Sequence, residues 1–248
     1  MTLNPNIALT RIVYRNAVVF FTVILLAAFW GFWPKYFSNL LGVTAFSIHM
    51  HGIALTLWLV MLVSQGYLIR TNHRALHRKL GKLSYGLAPV VFLSTLGVVH
   101  HQFQDATVTD GGLLLLGLTL ANTLQFGITA GLALYHRSTP PIHARYMLCT
   151  PLPMLSPIFS RVLGANFPSF VAALPLPIVD GRPYVALLSI LAADAILAML
   201  SIWDWVAHKR LNVFPVMLAV FVAFHVSVYL IYDQPFWESF FGWFSSWH

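Results

Sequence analysis

Long apolar stretches separated by short polar segments run through this whole sequence, and the stretch over residues 47–69 is the clearest. A helix of about 20 apolar residues crosses the ~30 Å hydrocarbon core of a bilayer. Only 8% of the 248 residues are charged and 58% are hydrophobic, whereas soluble domains carry roughly 25% charged residues. A chain with so little charge cannot cover a water-facing surface. The sequence therefore predicts an all-α integral membrane protein, a polytopic bundle whose first partner is the lipid bilayer.

The apolar stretches predict about seven spans in a single transmembrane domain over residues 1–248. Their approximate bounds are 18–33, 47–69, 83–99, 112–135, 146–163, 184–206 and 214–232. The fifth stretch contains Pro151, Pro153 and Pro157. Each proline removes a backbone donor, so we expect a kinked or partly unwound helix there. The aromatic tail after residue 232 predicts a segment that lies along the membrane interface.

The positions of the basic residues predict the orientation of the spans, because cytoplasmic loops carry an excess of Lys and Arg. Most basic residues fall in the N-terminal tail and in the segments after spans two, four and six. These residues are Arg11, Arg15, Arg70, Arg74, Arg78, Lys79, Lys82, Arg137, Arg145, Lys209 and Arg210. We therefore expect a membrane protein with a cytoplasmic N-terminus and an external C-terminus. The same bias explains the net charge of +7 without nucleic acid as a partner.

With this topology, four histidines lie near the outer face. They are His49, His51, His100 and His101. Neutral imidazole is a common ligand of haem iron, copper, zinc and non-haem iron. His49 and His51 point about 200° apart on a regular helix, so both would bind one metal only if the helix began after His51. Gly52 leaves room for another backbone or a flat cofactor. The alternative is a set of interfacial histidines bonded to water and loop carbonyls.

Ionisable groups inside a membrane are costly and therefore mark candidate functional sites. Asp194 in span six and His225 in span seven lie at similar depth, as do Asn122 and Gln125 in span four. His225 is a further candidate ligand, and Asp194 would orient its ring or act with it in a proton relay. A neutral structural pair is the alternative. Arg161, near the outer end of span five, would pair with Asp180 or a cofactor carboxylate, or extend to the interface.

At the inner face, the candidate residues are His77 and His143. Arg74, Arg78 and Lys79 lie close to His77 in sequence. This positive charge favours an anion over a metal cation. Capping of the helices that follow each histidine is the alternative.

A longer pattern resembles a widespread set of uncharacterised bacterial multi-pass inner-membrane proteins. Its members in this chain are His51, Trp58, Gln65, Leu76-His77-Arg78, Gly81, the run from His143 to Met147, and Arg161. The resemblance covers spans two to five and implies a fold without an established activity. Paired histidines at both ends of a bundle are more loosely similar to the cytochrome b561 type of haem b electron carriers. Here, however, the HisxHis and HisHis pairs cluster on one side.

Together these patterns favour a membrane redox protein that binds haem b or a transition metal (copper, iron or zinc). It would transfer electrons, with a quinone or other membrane subunits as partners, or act as an oxidoreductase in metal-dependent oxidation. One alternative is a proton-coupled transporter that uses Asp194 and His225. Another is a non-catalytic subunit of a membrane complex. A single cysteine, Cys149, excludes multi-cysteine metal sites, and no hydrolase or nucleotide-binding motif is present.

Overall fold

The computed structural model describes residues 5–104 and 106–247, with side chains from residue 16 onward, and this part of the chain is mostly helical. The side chains of Arg11 and Arg15, and all of His248, lie outside the described residues. The helices are α1 (Pro5–Phe32), α2 (Phe46–Arg70), α3 (Arg74–Gly81), α4 (Ser84–Phe103), α5 (Asp110–Tyr135), α6 (Pro140–Cys149), α7 (Leu155–Asn166), α8 (Pro168–Ala173), α9 (Ala186–His208), α10 (Phe214–Ile231) and α11 (Pro235–Ser245). A small antiparallel hairpin joins β1 (Ile178–Val179) to β2 (Arg182–Pro183).

Five of the described helices are long and apolar enough to cross a membrane, namely α2, α4, α5, α9 and α10. Their most apolar windows have a mean hydropathy between 1.2 and 2.2. The bounds lie within a few residues of predicted spans two, three, four, six and seven. The described apolar part of α1, Asn16–Phe32, is shorter. The structure thus confirms a bundle of apolar helices of membrane-spanning length.

Helix α5 lies at the centre of this bundle. Buried residues make up 61% of its apolar window, against 22–28% in the other four helices. It begins where the Thr109 side chain accepts a hydrogen bond from the Gly112 amide (3.0 Å), which satisfies one free donor of the first turn. It packs against α4, α6 and α10. Polar side chains on its buried face therefore meet the interior of the protein.

The predicted fifth span is divided into two helices. Helix α6 ends at Cys149, a 3₁₀ turn covers Leu152–Met154, and α7 begins at Leu155. Pro151 and Pro153 lack the N–H groups that a continuous helix would need there. The Met147 carbonyl, which would accept from residue 151 in a continuous helix, instead accepts from the Thr150 amide (3.3 Å) and the Thr150 hydroxyl (2.9 Å). The expected interruption is therefore present, and it is buried in the core.

A buried ion pair joins the first half of this broken segment to α9. Arg145 of α6 donates from Nε and Nη2 to the two carboxylate oxygens of Asp204, at 2.9 and 2.6 Å. The two side chains are only 2% and 0% exposed. His208 Nδ1 lies 2.8 Å from the same carboxylate. The sequence analysis counted Arg145 as a loop charge, which is wrong, because its guanidinium is inside the protein and paired.

The aromatic tail forms α11, which packs on the bundle. Trp237 and Phe241 are buried against α4 and α5. The Trp237 ring N–H donates to the Leu113 carbonyl (3.2 Å). Phe236 and Trp243 are exposed on the other side. The helix therefore has one face for the protein and one aromatic face directed outward.

Replacement of Asp204 by Asn should lower the free energy of unfolding by about 3–5 kcal/mol, because it leaves the Arg145 charge buried without a counter-ion. Reversible unfolding in mixed micelles measures this loss. Asp180→Asn, a change in an exposed turn, should stay within about 0.5 kcal/mol of the wild type. The double variant Arg145→Met/Asp204→Leu should recover most of the loss. Wild-type stability in Asp204→Asn would contradict this account.

Candidate functional site

Three polar side chains from three helices meet inside the bundle. His225 of α10 lies between Asp194 of α9 and Gln125 of α5. Its Nδ1 is 3.0 Å from Asp194 Oδ2, and its Nε2 is 3.2 Å from Gln125 Nε2. His225 is 5% exposed and Gln125 is fully buried, while the Asp194 side chain is 18% exposed. The predicted Asp194–His225 pair is thus present, and Gln125 extends it to a network of three residues.

Hydrogen-bond chemistry assigns the proton on the His225 ring. The Gln125 amide nitrogen donates to the Phe221 carbonyl (3.4 Å) and to His225 Nε2, so Nε2 provides a lone pair. Nδ1 then carries the hydrogen and donates it to Asp194. The ring is therefore held in one neutral tautomer by groups on both sides.

Two buried oxygens of this network have no partner in the described part of the chain, Asp194 Oδ1 and Gln125 Oε1. Asp194 Oδ1 can therefore take part in a further hydrogen bond without breaking one that the network already makes. The partly exposed Asp194 side chain connects the site to the bundle surface. Asn122 is half-buried on the same helix as Gln125, and no described hydrogen bond involves its side chain.

At the end of the bundle where α2 begins, the protein itself satisfies both nitrogens of His49. Its Nε2–H donates to the Val43 carbonyl (2.9 Å), and its Nδ1 accepts from the Tyr36 hydroxyl (3.3 Å). The Tyr36 ring lies against Gly52, where an added Cβ would come within 2.7 Å of it. The close approach expected at Gly52 is therefore made by Tyr36 of the same chain.

His51 is held by a different partner. The Thr95 hydroxyl donates to the Val91 carbonyl (2.7 Å), so it accepts from His51 Nδ1–H at 3.4 Å. This leaves His51 Nε2 with a lone pair and no hydrogen bond among the described residues.

Arg161 does not pair with Asp180 in the described part of the chain. Its guanidinium lies over the Phe32 ring (4.4 Å to the centroid), and Nη1 donates to the Pro157 carbonyl (3.1 Å). Asp180 instead accepts from the Gly111 amide (3.1 Å). An Arg161–Asp180 pair is therefore not formed by the described residues.

No hydrogen bond or ring contact among the described residues joins His49 or His51 to the other two histidines predicted at the outer face, His100 and His101. The His100 ring packs edge-on against Phe244 of α11, and its Nε2 is buried without a partner. His101 is exposed. The described residues include no group of three or more His, Cys, Asp or Glu side chains placed to hold a metal ion. The outer metal or haem site stays a prediction from the sequence.

At the opposite end of the bundle, where α2 ends, Gln65 of α2 forms hydrogen bonds with α3. With its amide oriented to satisfy both atoms, Gln65 Nε2 donates to His77 Nδ1 and to the His77 carbonyl (3.2 Å). Gln65 Oε1 accepts from the Gly81 amide (3.1 Å). The other inner candidate, His143, donates from Nδ1 to the Ala133 carbonyl (2.7 Å). Both histidines therefore form hydrogen bonds between a short helix and a long one, His77 between α3 and α2 and His143 between α6 and α5.

Asp204 is the buried ionisable residue that sequence reasoning missed. It lies between Trp203 and Trp205 near the end of an apolar stretch, so the criterion that selected Asp194 would also have found it. Its partner Arg145 belongs to the pattern quoted above, but a pattern does not show which carboxylate an arginine meets.

Comparison with known proteins adds no assignment, because no family model, curated protein or solved structure matches this chain.

His77 should make stability depend on pH. Burial holds the pKa of His77 below its ordinary value, and the nearby His143 and Arg78 act in the same direction. The unfolded chain then binds a proton more readily than the folded protein does. Stability should consequently fall as the pH drops below the ordinary histidine value of about 6.5.

Thermal unfolding in detergent from about pH 7.5 to about pH 5.5 measures this effect. The melting temperature of His77→Gln should fall less over this range than that of the wild type. His101→Gln, which removes an exposed histidine, should retain the wild-type slope. Equal slopes for His77→Gln and the wild type would show that His77 does not contribute.

Proposed function

We propose that this chain is a seven-span bacterial inner-membrane protein that acts as a proton-coupled carrier, with Asp194, His225 and Gln125 as its proton-binding site. The observation that carries the proposal is the unpartnered, buried Asp194 Oδ1 beside a histidine of defined tautomer. Proton uptake at this oxygen neutralises the network without rearranging it. A carrier needs such a site, because it must gain and lose a proton on each transport cycle.

The interrupted fifth segment supports a carrier, since transporters bind their substrates and coupling ions beside discontinuous helices. Helix α7 packs against α9, the helix that carries Asp194. Ser160 of α7 and Ser189 of α9 have their hydroxyl oxygens 3.4 Å apart. A movement of α7 would thus be transmitted to α9.

The proposed topology adds two crossings to the five long helices. Helix α1 supplies the first, and α6 with α7 supplies the fifth. The N-terminus would then be cytoplasmic and the C-terminus external. The excess of positive charge on the proposed cytoplasmic side persists when Arg145 is removed from the count of loop charges. Eight basic residues of the segments after spans two, four and six remain on that side: Arg70, Arg74, Arg78, Lys79, Lys82, Arg137, Lys209 and Arg210.

Asp194→Asn should abolish proton binding at the site. Infrared pH-difference spectra of the reconstituted wild type should contain a carboxylic-acid band that titrates, and Asp194→Asn should lack this band. Proton flux into proteoliposomes, driven by a potassium diffusion potential and followed with a trapped pH dye, should fall to the level of empty liposomes.

Two matched variants test the assignment. Asp180→Asn removes a carboxylate outside the network and should keep both the band and the flux, whereas Asp194→Glu should restore the band. An unchanged band in Asp194→Asn, or equal losses in Asp180→Asn, would overturn the proposed site.

A second candidate, a redox protein that binds haem b or a transition metal, is favoured by the open nitrogens of His51 and His100. Helices α2 and α4 are antiparallel neighbours, so both residues lie at the same end of the bundle. His51 and His100 would hold the haem iron through their ring nitrogens, whereas two imidazoles alone would provide only half of the four ligands of a structural zinc site. Bound haem would supply one-electron chemistry, with a quinone or another membrane subunit as the electron partner.

Optical spectra of the purified protein, oxidised and reduced, together with elemental analysis, test the second candidate. We expect a reducible Soret band or near-stoichiometric metal that is lost in His51→Ala and kept in His101→Ala. Neither signal in protein produced with added haem and metals would contradict it.

A further inference from the structure

Helix α3 has two chemically different faces at the end of the bundle where α2 ends and α4 begins. At 100° per residue, Arg74, Arg78 and Lys79 occupy one side of the helix, while Leu76, Leu80, His77 and Gly81 occupy the other. The three basic side chains are exposed. Leu76 is 44% exposed at the border between the faces. This is the arrangement of a helix that lies in a membrane interface.

The positive charge of this segment is not paired with any acidic side chain in the described part of the chain. Residues 70–82 include five basic residues and no acidic residue; the basic ones are Arg70, Arg74, Arg78, Lys79 and Lys82. None of the five belongs to an ion pair among the described residues, whose pairs involve only Arg145, His208 and His225. Elsewhere the chain buries and pairs a cation, as at Arg145. Here it leaves five cations close together and unpaired.

The opposite face of α3 is fixed in place. Gln65, itself only 8% exposed, bonds to the His77 ring, the His77 carbonyl and the Gly81 amide. A side-chain bond between His73 Nδ1 and the Thr71 hydroxyl (2.8 Å) lies just before the helix, and Asn72 takes a positive φ of 62° in the turn. The basic face is thus presented outward by a helix whose position is already set, which reduces the entropy lost on binding.

We propose that α3 is a binding surface for anionic phospholipid headgroups. Arg74, Arg78 and Lys79 contact the phosphates, and Leu76 enters the acyl-chain boundary beside them. Charge complementarity carries the assignment, because headgroup phosphates supply the negative charge that the protein lacks here. The surface is independent of the proton site and would exist in a carrier or in a redox protein.

The test compares retention of phosphatidylglycerol and phosphatidylcholine of identical acyl chains by delipidated full-length protein, using native mass spectrometry. Wild type should prefer phosphatidylglycerol. The variant Arg74→Gln/Arg78→Gln/Lys79→Gln should bind it about 100-fold more weakly, since each basic residue near an anionic surface contributes a factor of about five. The single variants Arg74→Gln and Arg78→Gln should each weaken phosphatidylglycerol binding about fivefold. They still test the surface if the triple variant does not fold.

Two controls separate the proposal from its rivals. Lys35→Gln/Arg182→Gln/Arg210→Gln removes three exposed cations elsewhere and should keep the preference. Arg74→Lys/Arg78→Lys keeps the charge and should retain most of the binding. An equal loss of phosphatidylglycerol binding in both triple variants would indicate general charge attraction and would contradict a specific surface on α3. An unchanged lipid preference in the α3 variants would also contradict it. Displacement of the lipid by millimolar inorganic phosphate would also overturn it, in favour of a free-phosphate site.

Discussion

The cost of an unpaired polar group in an apolar interior is the constraint on which this structure depends. A bundle made of apolar helices has little water with which to satisfy buried donors and acceptors. The chain therefore pairs its interior polar side chains across helices. The clearest cases are two pairs that each join a short helix to a long one. These are the ion pair between Arg145 and Asp204 and the hydrogen bonds between Gln65 and His77. Charged or amide side chains thus position short helices that apolar packing alone would hold weakly.

The Asp194–His225–Gln125 network is the place where this rule is met only in part. Its three side chains form hydrogen bonds with one another. Two of their oxygens, Asp194 Oδ1 and Gln125 Oε1, nevertheless have no hydrogen-bond partner among the described residues. A purely structural pair gains nothing from an unsatisfied oxygen, because desolvation of that atom opposes folding. The same feature is useful in a site that exchanges protons. The Asp204 carboxylate on the same helix is paired at both oxygens with Arg145, and this difference supports the proposed role of Asp194.

Much of the fold could be predicted from the sequence, because helix length and apolar composition are local properties. The five long helices lie close to their predicted bounds, and Pro151 and Pro153 interrupt the segment where proline chemistry requires it. The Asp194–His225 pair was also accessible, since the two residues were assigned similar depths in neighbouring spans. The outer histidines show the limit. His49, His51 and His100 are close in predicted depth, but each is held by a different partner, and the direction of a side chain depends on the packing of its helix.

The sequence by itself determined that this chain forms apolar helices of membrane-spanning length and where these long helices run, and it placed Asp194 and His225 inside the bundle. These properties follow from the composition of each segment and need no knowledge of its neighbours. Only the tertiary structure decided that Arg145 is buried with Asp204, that Tyr36 covers Gly52, and that Gln125 completes the site around His225. Such contacts join residues far apart in the chain, and they depend on the rotation and height of each helix in the bundle, which a periodic pattern does not specify.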